Sequence, residues 1–268
     1  MHKLLAHLVF ALVVTACGQQ AADTEIEPDA AAVDTPAISS SIYADAVASP
    51  TRPDADRERD AGRKPAEVLK FLGIEPGMAV LDMFSGGGYY TEIVAHVVGN
   101  GGKVVAHSNA AYLSFVGEEF EARYADNRIA NADVLVAENN ELDLDAEQFD
   151  AITMILSYHD IYYEDLENGW PRIDGPKLFA ELKQSLKPGG FIGIVDHYAE
   201  AGAPSETGTT VHRIDRSIVI KDMQAAGFQL DAGSDLLRNP DDDRSKLVFA
   251  PEIRGKTDRF VLRFRETE

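Results

Sequence analysis

Five short apolar runs, at Ala79–Met83, Lys103–His107, Val134–Ala137, Asp150–Leu156 and Phe191–Val195, are set apart by stretches of helical spacing. Those helical stretches are Tyr89–Val98, Ala111–Tyr124, Lys177–Leu186 and Ile214–Ala226. Few folds accept such an alternation. Neighbouring parallel strands need a long crossover, usually a helix, so the pattern predicts a mostly parallel sheet with helices on both faces. Two further strands, near Phe228–Ser234 and Arg259–Arg265, flank the long polar loop Leu236–Thr257 and are expected to close the sheet as an antiparallel hairpin. Before the first strand, Val68, Leu69, Phe71 and Leu72 mark one more helix, which stops at "GIEPG". The expected fold is therefore α/β, with a doubly wound, mostly parallel sheet of seven strands.

The 268 residues allow one sizeable α/β domain with appendages. A net charge of −20 argues against nucleic acid as a partner, since phosphate binding needs a dense Lys/Arg face. Part of that acidity is local. Between Gly18 and Pro50 there are six Asp/Glu and no Lys or Arg, among many Ala, Pro, Ser and Thr. So little apolar surface cannot offset the entropy of ordering, and 18–50 is expected to be a disordered acidic tether to a folded domain at 51–268. Residues 1–17 are expected to be a signal peptide, with Lys3 as the charge and Leu4–Val14 as an apolar run too short to span a bilayer. "VTAC", at Val14–Cys17, resembles the lipobox of bacterial lipoproteins, which implies a lipid on Cys17 and a membrane contact through it. Gly18 then favours the outer membrane, on its periplasmic side. A plain secretory signal with an incidental cysteine is the alternative. Cys17 is the only cysteine, so no disulfide forms within the chain and no other thiol is available for catalysis.

Between the first strand and its helix lies "DMFSGGGYY". Gly86, Gly87 and Gly88 let the backbone turn sharply and approach a ligand with no Cβ in the way. The following helix presents free N–H groups and a partial positive charge toward that place. Asp82, at the end of the strand, is positioned to accept hydrogen bonds from a ligand or from the turn's own amides. A tight turn with no ligand is the plainer alternative.

From Pro65 to Arg265 the sequence resembles class I S-adenosylmethionine-dependent methyltransferases. Their first motif would be Asp82, Phe84, Ser85, Gly86 and Gly88, and "GGGYYTEIVAHVVGNGGKV" is similar to the turn, helix and strand of enzymes acting on protein isoaspartate or tRNA adenine. "LKPGGFIGIVDH", at Leu186–His197, matches the superfamily's fifth strand and the turn before it. The chain also looks like a group of bacterial methyltransferases that carry signal peptides. The resemblance implies a Rossmann-like domain, S-adenosyl-L-methionine as cofactor, and methyl transfer to a small-molecule or exported substrate. It places the ribose near Ser108, the adenine near Glu138 or Asn139, and the transferred methyl near Ser157. Two departures stand out: Phe84 replaces the first glycine, and Ser108, between His107 and Asn109, replaces the acid that grips the ribose. A neutral hydroxyl bonds a ribose about half as strongly as a carboxylate, so weaker or altered binding is expected.

Ligands of open parallel sheets sit outside the carboxyl ends of the strands, which selects the polar residues that meet. "SYHD", Ser157–Asp160, ends the fourth strand, and Asp196 and His197 end the fifth. His159 and Asp160 are the candidate base and its orienting partner, because an imidazole with an ordinary pKa near 6.5 suits proton removal at neutral pH. His197 is a further catalytic candidate. "HRID" at His212–Asp215 either caps a helix or joins the site, and "RGKTDRF" at Arg254–Phe260 either binds an anion or pairs with Asp241–Asp243. His159, Asp160, Asp196, His197 and His212 are metal-capable, but their spacing matches no dedicated motif and no metal is expected. An export signal and a cytoplasmic cofactor sit awkwardly together. The rival expectation is a lipid-anchored, non-catalytic binding protein that reuses the fold for another nucleoside or small anion.

Overall fold

The computed structural model describes residues 41–267. Seven strands form one sheet: β1 (Ala79–Met83), β2 (Lys103–Ser108), β3 (Ala132–Val136), β4 (Phe149–Ile155), β5 (Leu186–His197), β6 (Phe228–Ser234) and β7 (Arg259–Glu266). Their spatial order is β3-β2-β1-β4-β5-β7-β6. Only β7 runs antiparallel to its neighbours, β5 and β6. The chain winds outward through β1, β2 and β3, then returns to lay β4 beside β1. That reversal opens a crevice above the carboxyl ends of β1 and β4.

Period-two alternation assigns each strand residue to a face. Val80, Val104, Ala151, Phe191 and Val195 pack with α3 (Pro65–Leu72) and α4 (Tyr89–Val98) through Val68, Leu69, Leu72, Ile93, Val94 and Val97. Leu81, Ile152, Met154, Ile192 and Ile194 face the other way, toward α6 (Gly175–Ser185) and α8 (Arg216–Ala225), where Leu178, Leu182, Val219 and Met223 meet them. The α4 helix occupies the span expected from the sequence because glycines bracket it: Gly88 starts it at φ +78° and Gly99 ends it. The helix α5 (Ala110–Tyr124) is started by the Asn109 side chain, whose Oδ1 accepts the Tyr112 N–H at 2.8 Å.

The folded part begins earlier than Pro50. Residues Ser41–Val47 form α1, and Tyr43 and Ala46 are buried against α3 and α4. Ile42, Tyr43, Ala46 and Val47 recur at helical spacing, an apolar stripe that the surrounding Ala, Ser and Asp conceal in the sequence. The expected tether therefore stops short of residue 41, and α2 (Asp54–Arg63) follows α1 directly. The expected signal peptide at 1–17, Cys17 and the part of the expected tether before residue 41 lie outside the described residues. Among the described residues, no helix is long and apolar enough to cross a membrane.

Candidate active site

The glycine turn connects β1 to α4 with three residues at positive φ: Phe84 at +55°, Gly86 at +57° and Gly88 at +78°. A Cβ is strained in that region, so Phe84 holds a backbone shape that glycine adopts freely. Its ring is buried, edge-on to His107 at 5.8 Å and tilted against Tyr112 at 6.1 Å. The turn is fastened from α5: Arg123 donates from Nε to the Gly87 carbonyl at 2.7 Å. A Cβ on Gly88 would meet the Tyr124 hydroxyl at 2.8 Å, so the packing also requires a bare backbone there.

Asp82 does not face the crevice. Its carboxylate is buried and accepts the Thr91 hydroxyl at 2.6 Å and the Thr153 hydroxyl at 3.0 Å, which ties β1 to α4 and β4. Burial lifts its pKa to about 6, against the opposing pull of those hydroxyls. Its part is to brace the turn from behind. Ser85 and Ser108 touch through their hydroxyls at 3.3 Å and join the turn to the end of β2. Glu138 is half-buried and caps α5, accepting the Ala110 N–H at 3.2 Å.

Three buried polar atoms along this edge have no partner within the protein: His107 Nδ1, Asn139 Oδ1 and Ser157 Oγ. They stand at or just past the carboxyl ends of β2, β3 and β4. His107 bonds the Ala137 carbonyl through Nε2 at 3.0 Å, and a carbonyl only accepts, so Nε2 carries the hydrogen. Burial pushes its pKa down to about 4, so the ring is neutral and Nδ1 offers a bare lone pair. Buried polar atoms are rarely left unpaired without a reason.

Beyond β4, the 3-10 turn Tyr158–Tyr162 carries His159 and Asp160. Asp196, at the end of β5, holds His159 twice: it accepts the backbone N–H at 2.8 Å and ring Nδ1 at 2.8 Å. The orienting carboxylate is thus Asp196, and Asp160 instead faces the opposite ring nitrogen, Nε2, at 3.3 Å. Nor does His159 keep an ordinary pKa. Burial alone would lower it, but the two carboxylates outweigh burial and hold it up at about 9. His197 lies with its ring centre 6.0 Å from that of His159 and is tied by Nδ1 to the Thr257 hydroxyl at 2.6 Å. Burial and the positive charge of His159 keep His197 well below the usual histidine range.

The "HRID" stretch divides its work. His212 brings Nδ1 within 3.3 Å of His159 Nε2, Arg213 is buried in a two-pronged pair with Asp242, and Asp215 caps α8 through the Ser217 N–H. "RGKTDRF" meets the acidic loop through the Asp258 backbone N–H, which donates to Asp242 at 2.7 Å, while the Asp258 carboxylate pairs with Arg238 and Arg244. Tyr112 escapes sequence reasoning because it reads as one more apolar position of α5. It crosses the crevice from α5, donates to Asp160 at 3.0 Å and packs against Trp170 at 5.2 Å. Its ring lies 3.8 Å from where a Gly86 side chain would begin.

A family model for protein-L-isoaspartate(D-aspartate) O-methyltransferase matches residues 41–137. No curated protein matches. Among solved structures, a SAM-dependent methyltransferase from Aquifex aeolicus is 23% identical over 76% of this chain and 89% of that one, with a TM-score of 0.53. The fold is that of the S-adenosylmethionine-dependent methyltransferases. A second enzyme of that description, from Mesorhizobium loti, superposes at a TM-score of 0.51 with 13% identity, covering 75% of this chain and 96% of its own. The 4+2 cyclase SpnF superposes at 0.52 with 16% identity, over 77% of this chain and 80% of its own, so the methyltransferase fold also appears in a protein named for a different reaction. The matched family segment begins at α1, consistent with that helix being part of the methyltransferase-fold domain.

Proposed function

We propose that this chain is an S-adenosylmethionine-dependent methyltransferase acting on a small-molecule or exported substrate. One observation carries the reading: the buried His107 Nδ1, Asn139 Oδ1 and Ser157 Oγ have no protein partner and belong to the carboxyl ends of β2, β3 and β4, on either side of β1, in a sheet with this fold. Adenine presents donor and acceptor edges and ribose presents hydroxyls, so two bare acceptors and a free hydroxyl suit the nucleoside half of the cofactor. Ser108 would add a hydroxyl toward the ribose, and Gly86 leaves room for the cofactor's tail once Tyr112 turns aside. The cofactor, when bound, supplies a methyl already activated on a sulfonium sulfur. The protein's own residues then need only align an acceptor and keep water out. Asp160 and His159, held by Asp196, form the polar wall for that alignment, and the carboxylate of Asp160 accepts a hydrogen bond from an acceptor oxygen or nitrogen.

Titration of the full-length protein with S-adenosylhomocysteine tests this. Ligand at about 100 times its dissociation constant adds about 2.7 kcal/mol of stability, and Gly86→Val abolishes the gain by filling the turn. A missing thermal shift at millimolar ligand would favour the binding-protein reading, which Phe84 at the first-glycine position and the uncharged Ser108 support. The acidic chain disfavours a polynucleotide acceptor, so small metabolites, lipid headgroups and exported peptides come first in a screen. We also propose that Cys17 is lipidated and anchors the domain outside the cytoplasm, on the periplasmic side of the outer membrane. Cys17→Ser is expected to move the protein from the membrane to the soluble fraction, and unchanged fractionation would refute the anchor.

A further inference from the structure

Three potential ligand atoms converge at the far side of the crevice. His159 Nε2 lies 3.3 Å from Asp160 Oδ1 and 3.3 Å from His212 Nδ1, and His212 Nδ1 lies 3.8 Å from Asp160 Oδ1. A zinc-type ion bonds nitrogen and carboxylate oxygen at about 2.0–2.2 Å, and tetrahedral ligands at that radius stand about 3.3–3.6 Å from one another. Two of the three distances meet that spacing and the third, at 3.8 Å, is slightly longer, so a small inward turn of His212 would complete one face of a tetrahedron.

The hydrogens point the same way. Asp196 can only accept, so His159 Nδ1 carries the hydrogen of that bond, and Nε2, turned toward Asp160 and His212, is the ring nitrogen that would exchange its proton for an ion. A histidine that ligates a metal almost always gives its other N–H to a carboxylate or carbonyl, which fixes tautomer and ring orientation. Asp196, doubly bonded to His159 and accepting the His197 backbone N–H at 2.6 Å, is rigid enough to do so. His212 is packed between two rings, stacked on Tyr163 at 5.2 Å and tilted against Phe249 at 5.0 Å. His159 and Asp160 are buried, whereas His212 is partly open to solvent, which gives an ion a way in.

We propose that His159, Asp160 and His212 bind one divalent ion of the zinc class, with Asp196 as the supporting carboxylate and a fourth position left for an exogenous oxygen. Two imidazoles and one carboxylate suit zinc, cobalt or iron(II) rather than magnesium or calcium, which take all-oxygen sets. Metal binding stands independently of the cofactor. If the methyltransferase reading holds, the open position takes an oxygen-bearing acceptor, a hydroxyl or carboxylate compound, beside the place expected for the methyl.

The test uses full-length protein stripped with a chelator. Titration with zinc chloride is expected to show one equivalent bound, unaffected by millimolar magnesium, and cobalt is expected to give the intense visible absorption of a four-coordinate site. His212→Ala should weaken zinc at least a hundredfold while leaving the metal-free melting temperature close to the parent's, because that ring is partly exposed. Asp196→Asn should weaken it about 10- to 100-fold through loss of the supporting carboxylate. No stoichiometric zinc, or zinc bound equally well by His212→Ala, would overturn the site and leave a hydrogen-bonded histidine pair. S-adenosylhomocysteine binding, measured on the same metal-free protein, separates failure of the metal site from failure of the cofactor reading.

Discussion

Asp82 is a carboxylate placed where ionisation is costly. Folding raises its pKa from an ordinary aspartate value to about 6, so the native state holds a proton that the unfolded chain has already released. Stability from this group is complete below the unfolded value, near 4, and falls as pH rises through about 6. The gap is about two pH units, each worth about 1.4 kcal/mol, or about 3 kcal/mol in all. Asp82→Asn keeps an oxygen for one threonine and an amide for the other but cannot ionise. Denaturant unfolding should therefore find the variant near parity with the parent at pH 4 and gaining on it up to pH 7. Parallel profiles would show that folding does not raise the Asp82 pKa. Single residues also account for what the sequence concealed about the site. The positions of Asp160 and Asp196 near His159 follow from where β4 and β5 end, but which carboxylate binds Nδ1 depends on the 3-10 turn, which no spacing rule reveals.

At the scale of elements, α5 acts through Arg123. The guanidinium is buried and reaches Asp56 of α2 at 2.7 Å, Glu92 of α4 and the Gly87 carbonyl of the turn. Arg59 also pairs with Asp56 and Arg128 with Glu92, so the network spans three helices. Burial pushes both carboxyl groups up, and the arginines outweigh it and hold them below the usual range. This contribution is present at neutral pH and is lost as pH falls through the lowered values, opposite in sign to that of Asp82. Arg123→Met leaves each carboxylate one partner short in a dry site and is expected to cost about 3 kcal/mol in chemical unfolding. Adding Asp56→Asn and Glu92→Gln should restore part of it, whereas a single-variant loss within error of zero would mean that solvent reaches the cluster. Among the regular elements α4, β1 and β6 occupy their expected spans, whereas β5 extends its expected Phe191–Val195 to Leu186–His197 through pairing with β4 and β7. The edge strand β3 starts two residues earlier than its apolar run suggests, because Val134 and Val136 are exposed and backbone pairing with β2, not burial, sets its limits.

For the whole molecule, the winding order explains why one crevice collects so many polar groups. β1 and β4 are neighbours in space although two helices and two strands, α4, β2, α5 and β3, lie between them in the chain, so the turn after β1 and the turn after β4 open on the same gap. The alternating runs foretold a mostly parallel sheet, and the order of its strands comes from the structure. Nor could the runs reveal the aromatic filling of the gap by Phe84, Tyr112 and Trp170, since these side chains converge only after α5 and the segment after β4 are in place. The placement of β7 has a consequence in time as well as in space. It follows every other strand in the chain, yet it lies between β5 and β6. During synthesis β6 therefore emerges with no partner to pair with, and β5 keeps one edge bare until residues 259–266 arrive to fill the slot. Native-like hydrogen bonding among β5, β6 and β7 therefore has to wait for the strand made last of the three, and the pairing at this side of the sheet forms only when residues far apart in the chain come together.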